Sequence, residues 1–251
     1  MKLKNSLEIL IAILILIPAL IMAQLREKST LAFTHVTVIP MDEERTLPDQ
    51  TVLVKEGRIV AIGPSNSIGV PEGATVIHAE GKYMIPSLSD MHIHLEGDAW
   101  NLLLPPDLKQ PKDALDFSDL LFLYIANGIT TVEIMSALPE HIALRDRIQK
   151  GELLGPRLIL SRMVDGPDKA WPPPISTWVK DSLEAQKAVR DAHTQGYDRI
   201  KAYSFLNEAS YDALLSTAKE LNMGVDGHVP LALSVEHVVK AGQNTIVHSE
   251  E

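Results

Sequence analysis

The segment Asp90-Met91-His92-Ile93-His94-Leu95 places two histidines one residue apart in an apolar run. On a β-strand the side chains alternate between faces, so His92 and His94 point the same way and their imidazoles can close on one ion. Zinc and its transition-series neighbours accept neutral imidazole, and two ligands fixed on a strand need only one or two distant partners. Spacing alone also admits a pair of partly solvated side chains, so the remaining residues must decide.

Four further positions answer the pair. Lys201 and Tyr203 close the stretch Arg199-Ile200-Lys201-Ala202-Tyr203, His228 follows Val225-Asp226-Gly227, and His248 ends Thr245-Ile246-Val247-His248. In parallel βα folds the C-terminal strand ends and the loops after them form the active face, so all four would open on one mouth. A lysine ammonium beside a cation is repelled. Desolvation and nearby positive charge lower its pKa, and the neutral amine can add carbon dioxide to give a carbamate, a bidentate anion able to bridge two divalent ions. Tyr203 shares a strand face with Lys201 and is either a hydrogen-bond donor to substrate or developing oxyanion, or a packing side chain. His141, His193 and His237 fall in helical segments and His35 and His78 in a β-rich region, where structural or exposed roles are expected.

From Tyr83 onward strands alternate with helices, the pattern of βα units around a parallel sheet. Gly128, Gly196, Gly224 and Gly242 each precede a short β-branched or apolar stretch and read as left-handed helix ends. Pro139 suits a first helical turn and Asn207 an N-cap. Upstream, residues 33–39, 51–62 and 75–79 read as strands of a small β unit, with a tight hairpin at Glu56-Gly57. The stretch 166–178, with Trp171-Pro172-Pro173-Pro174, reads either as a loop over the mouth or as a solvent-exposed turn.

The 251 residues are 45% hydrophobic, enough for a sizeable core, and carry a formal charge of -10. With no basic stripe, a nucleic-acid partner is excluded, because phosphate binding relies on clustered Lys and Arg. The absence of cysteine excludes disulfides and thiolate ligands. Lys2 and Lys4 precede an apolar run that ends at Ile21-Met22-Ala23, which reads as a secretory signal over residues 1–23 and predicts an exported, periplasmic or extracellular protein. An uncleaved membrane anchor over residues 7–23 is the other reading; a spanning helix wants about 20 apolar residues.

Together the segments 86–94, 127–132, 200–204, 227–230 and 248–251 resemble the amidohydrolase superfamily, and within it the imidazolonepropionase-like and prolidase-like branch. The resemblance implies an α/β fold: a (β/α)8 TIM-type barrel, incomplete here at about six βα units (residues 84–251), preceded by part of a small composite β-sandwich (residues 31–83). It implies two divalent metal ions, zinc foremost. His92 and His94 would bind one, His228 and His248 the second, and Lys201 as its carbamate would bridge them. The sequence departs from the pattern at Ser87, where glycine is common, and at Val247, where glutamate is frequent. Members also carry an aspartate after an eighth strand, whereas the stretch from Ile85 to Glu251 is well short of the roughly 250 residues of a complete barrel.

The expected reaction is attack of a metal-bridged hydroxide on a carbonyl carbon whose oxygen a metal polarises, cleaving an amide, cyclic amide or peptide C–N bond in a small-molecule or dipeptide-like substrate. An ester or lactone hydrolase on the same site is the neighbouring reading. A partial, non-catalytic metal- or ligand-binding barrel is the third; its open strand edges would favour association of copies. On the signal reading, the mature protein begins at or near Gln24. N-terminal sequencing of protein from the periplasm or medium tests this, and an intact Met1 in washed membranes would establish the anchor instead.

Overall fold

The structure is a computed structural model describing residues 30–95, 106–107, 117–167 and 171–248. The expected signal segment and residues 249–251 lie outside the described residues. The chain divides into two compact units, Met1–Pro86 and Ser87–Glu251. No described helix is long and apolar enough to cross a membrane.

The first unit holds β1 (Leu31–Val38), β2 (Leu47–Lys55), β3 (Arg58–Pro64), β4 (Thr75–His78) and β5 (Tyr83–Met84) in one mixed sheet of order β3-β2-β1-β4, with β5 also pairing β1. The β2–β3 hairpin turns at Glu56 and Gly57, with φ of 55° and 72°. Two successive positive φ values match the right-handed twist of the flanking strands, which is why a glycine stands there. Val36, Val38, Val52 and Ala79 are buried on one face, with Phe33, Leu47, Val54 and Met84 packed against them. The expected sandwich has a single layer among the described residues: Ile59, Val60 and Ile62 of β3 are exposed. Strand alternation in sequence marks one buried face and does not reveal whether the other is covered.

The second unit alternates β6 (Leu88–Ile93), α1 (Phe117–Ala126), β7 (Ile129–Ile134), α2 (Pro139–Gln149), β8 (Arg157–Asp165), β9 (Thr177–Trp178), α3 (Ser182–Gln195), β10 (Arg199–Ala202), α4 (Glu208–Glu220), β11 (Gly224–Gly227), α5 (Val235–Ala241) and β12 (Thr245–Ile246). Six strands run in the order β6-β7-β8-β10-β11-β12, and β9 adds to the end of β8. Every pairing is parallel, so the sheet is the curled half of an α/β barrel with its helices on the outside.

Local sequence explains the helices. Asp181, Asn207 and Ser234 each cap a first turn by accepting a backbone N–H, from Glu184, Ser210 and His237. Behind the caps, Ala185, Ala188, Val189 and Ala192 of α3 and Tyr211, Leu214, Leu215 and Ala218 of α4 recur at helical spacing and are buried in the common core. Helices α3 and α5 end at left-handed Gly196 and Gly242, as the sequence predicts. Gly224 differs: it opens β11, and the left-handed residue after α4 is Asn222. A Cβ at 224 would lie 2.5 Å from the Arg199 guanidinium carbon, so a side chain there would have to move Arg199 in its pairing with Asp226.

Beneath the strand ends lies a polar interior layer. Arg199 donates to both carboxylate oxygens of Asp226 and sits 3.6 Å from Glu133. Ser161 donates to Glu133 and Thr245 to Asp226. Burial is the main cause that pushes the Glu133 carboxyl up to about 7, with the Asp226 charge adding to it against the Ser161 hydrogen bond and Arg199. The core itself is apolar and tight, so Leu214→Ala, a truncation at a fully buried position, is expected to lower unfolding free energy by roughly 2–5 kcal/mol. Urea titration measures this.

Candidate metal centre

Strand β6 turns Ile93 into the core and carries His92 and His94 on its other face. Their Nε2 atoms lie 3.2 Å apart. Two nitrogens at about 2.0–2.1 Å from a tetrahedral ion would stand roughly 3.3 Å from each other, so the pair already has the bite of two zinc-type ligands. The Nδ1 of His94 is 2.9 Å from the Ser136 hydroxyl just beyond β7, which turns Nε2 toward the mouth.

The other predicted residues arrive from three separate strands. Lys201 is 1% exposed within β10. His228 follows β11 directly, and His248 follows β12 by two residues in a left-handed conformation, φ 66°. The rings form a continuous arc: His94 to His92 5.1 Å between centroids, His92 to His248 4.8 Å, His248 to His228 5.0 Å and His228 to Tyr203 4.1 Å. Gly227 sets His228 in place. Its φ is 138°, and a Cβ there would stand 2.0 Å from the Ala202 carbonyl oxygen, so only glycine lets β11 approach β10 this closely. The Ser204 hydroxyl then meets His228 Nδ1 at 2.8 Å.

The electrostatics suit imidazole ligands, which bind metal only when neutral. Burial, with the charges of Lys201, His94 and His248 adding to it, pushes His92 down to about 4. Burial and the same surroundings push His228 down to about 3, Lys201 being its leading charged neighbour. The donor set is thus four imidazoles around one buried lysine, which fits a divalent transition metal once that lysine loses its charge.

Tyr203 takes the packing role that sequence allowed, with a hydrogen bond that sequence did not foresee. Its ring packs with Leu138, Met163, Ile175 and Trp171, and its hydroxyl accepts a hydrogen bond from Trp171 Nε1 at 2.9 Å. Trp171 belongs to the 166–178 stretch, so that loop reaches the mouth. The histidines set aside as structural sit elsewhere: His141 is buried, its Nδ1 accepting the Leu138 N–H, and His35 pairs with Asp49. His237 joins Glu208 and Asp212 in a mostly exposed group on α4 and α5 that also offers metal-type donors. Sequence reasoning missed Ser136, Ser204 and Asp165. Each is a common residue type at a strand end; Ser204 adjoins Tyr203 and Asp165 adjoins Gly166, while no neighbour in sequence marks Ser136.

Asp165 is fully buried at the end of β8, its Oδ1 accepting the amides of Gly166 at 2.8 Å and Phe205 at 2.7 Å. It thereby ties the 166–178 loop to the segment carrying Tyr203 and Ser204.

A parallel α/β half-barrel with a histidine-lined mouth is the architecture that the described residues define. No family model matches the chain. Among solved structures it is similar to a Xaa-Pro dipeptidase with bound methionine (TM-score 0.71, 22% identity, 87% of this chain and 61% of that one). It is similar also to an amidohydrolase (0.70, 22%, 87% and 60%) and to molinate hydrolase (0.69, 18%, 86% and 57%). In sequence it matches the adenine deaminase of Ruegeria pomeroyi, 35% identical over 71 residues, 28% of this chain and 12% of that protein. Adenine deaminase 2 of Shouchella clausii is 26% identical over 117 residues, 41% and 20% of the two chains. The chain shares the fold of these solved structures, the fold that its motifs implied. It spans about three fifths of those solved structures and a fifth or less of those curated relatives.

Burial pushes the Asp165 carboxyl up to about 6, against the two amide hydrogen bonds that lower it. A raised folded pKa means that the folded state holds the proton more tightly than the unfolded chain does. This contribution is therefore neutral below about pH 4 and opposes folding increasingly as pH rises to about 6. Asp165→Asn keeps an acceptor for the two amides and removes the charge, so it should flatten that slope by an amount on the order of 2 kcal/mol. Urea unfolding at intervals between pH 4 and 7 gives the comparison.

Proposed function

We propose that this protein is a metal-dependent hydrolase of carbon–nitrogen bonds. The observation that carries the reading is the unbroken arc His94, His92, His248, His228 around buried Lys201, at the C-terminal ends of four parallel strands. The donor set suits divalent ions, zinc foremost: His92 and His94 would hold one and His228 and His248 a second, with Lys201, as its carbamate, supplying an anionic ligand to both. Bound there, the ions supply an activated water and polarise the scissile carbonyl.

The residues of the chain do the rest. Ser136 and Ser204 hold the Nδ1 sides of His94 and His228, so that Nε2 is the nitrogen each ring would offer a metal. Buried Lys201 would react as its free amine, adding carbon dioxide and releasing one proton to give the carbamate. Tyr203, held by Trp171 over the His228 ring, hydrogen-bonds the substrate oxygen as charge develops on it. The substrate is a small amide, cyclic amide or dipeptide. The matches to adenine deaminases and the fold shared with a Xaa-Pro dipeptidase support this range, since both chemistries break a C–N bond. The apolar N-terminal run supports an exported location.

Lys201 gives the sharpest test. Lys201→Ala should abolish retention of the metal pair and turnover, with partial return of both on adding a short carboxylic acid. Lys201→Arg should fail as well, because guanidinium stays protonated. Elemental analysis decides, and an undiminished two-metal content in Lys201→Ala would remove the bridging role. Ser204→Ala, which leaves the His228 ring unsupported, should weaken metal binding about 10- to 100-fold in chelator competition.

A further inference from the structure

The chemistry above uses the Tyr203 hydroxyl and the Trp171 N–H that holds it, and assigns no substrate contact to either ring. We propose that Trp171 and Tyr203 form an aromatic wall that binds a flat, aromatic or heteroaromatic group of the substrate next to the scissile bond. The proposal rests on the metal-dependent reading only for where that bond lies.

Position comes first. The Tyr203 ring lies 4.1 Å from the His228 ring at an interplanar angle of 35°, and Lys201 Nζ is 5.8 Å from its centroid, so the phenol borders the candidate centre on two sides. Trp171 continues the line outward through its hydrogen bond to the Tyr203 hydroxyl. A group attached to a carbonyl at the centre therefore meets Tyr203 first and Trp171 next.

The wall is also preformed. Both rings are half-buried and backed by Leu138, Met163 and Ile175, which are 0%, 2% and 2% exposed. The loop behind Trp171 is pinned at several points: Arg162 donates to the Pro174 carbonyl at 2.7 Å and to the Thr177 hydroxyl at 3.0 Å. Ser176 and Trp178 Nε1 both donate to the Trp171 carbonyl oxygen. A ligand meeting this surface need not order it, and that saving appears as affinity.

Chemistry selects the class of ligand. The indole N–H is engaged with the phenol oxygen, so the wall offers ring faces more than donors. An aliphatic group gains burial there, whereas a planar ring gains burial and stacking together.

The test uses the full-length metal-loaded protein and two probes of equal charge, benzylphosphonate and cyclohexylmethylphosphonate, titrated calorimetrically, with metal content measured in parallel. The planar probe is expected to bind about three- to tenfold tighter. Trp171→Leu should erase the preference with metal content unchanged, and Trp171→Phe, which keeps a ring in the loop, should retain most of it. Equal affinities in metal-loaded wild type, or a preference that survives Trp171→Leu, overturns the wall alone. A wild-type protein that retains no metal overturns the metal-dependent reading, and the wall as a substrate subsite with it.

Discussion

The parallel ladder joining β8, β10 and β11 is the constraint on which the second unit depends. Its register sets Lys201 beside Met163 on one side and Asp226 on the other, and residues paired in this way project from the same face. A slip of one residue would send Lys201 outward and bring its apolar neighbours in. The same alternation puts Arg199 on that face two residues earlier, so one strand supplies a guanidinium at the lower level and an amine at the upper. Below, Asp226 and Glu133 match the guanidinium; above, the surroundings are imidazoles. The lower layer sets one guanidinium against two carboxylates, Glu133 being the one whose carboxyl burial pushes up to about 7.

Much of the mouth was legible because its residue types are rare in their settings. Histidines one residue apart in an apolar strand, a lysine inside a β-branched stretch and a histidine after Asp-Gly all stand out against their surroundings. The units around them were legible from helix caps and glycine-ended helices, since capping is local chemistry. Contacts between distant segments were not. Ser204 acquires its role from His228 and Asp165 from the amide of Phe205, 40 residues away. Gly224 was assigned the role of a helix end because the Arg199 side chain that crowds it comes from another strand. The two-residue β9 is too short to carry any alternation.

Tyr203 shows where sequence reasoning divides a question that the fold does not. Packing and a hydrogen bond to substrate were alternatives on the strand, yet an amphipathic ring at a strand end can pack one edge and keep a polar tip. Loop 166–178 supplies both partners, through Ile175 and Trp171. An apparently separate loop is in this way built into the surroundings of the candidate centre.

The arc of rings includes one contact of a different kind. His92 and His248 extend from β6 and β12, the two outermost strands of the six-strand path, and their centroids are 4.8 Å apart. The imidazoles therefore bring together residues 92 and 248, from the first and last strands described in the unit. Closing so long a loop carries an entropy cost before any contact rewards it, and folds dominated by such pairings mature slowly. This contact should therefore be among the last features of the mouth to assemble, after the local helix caps and neighbouring strand pairs are in place.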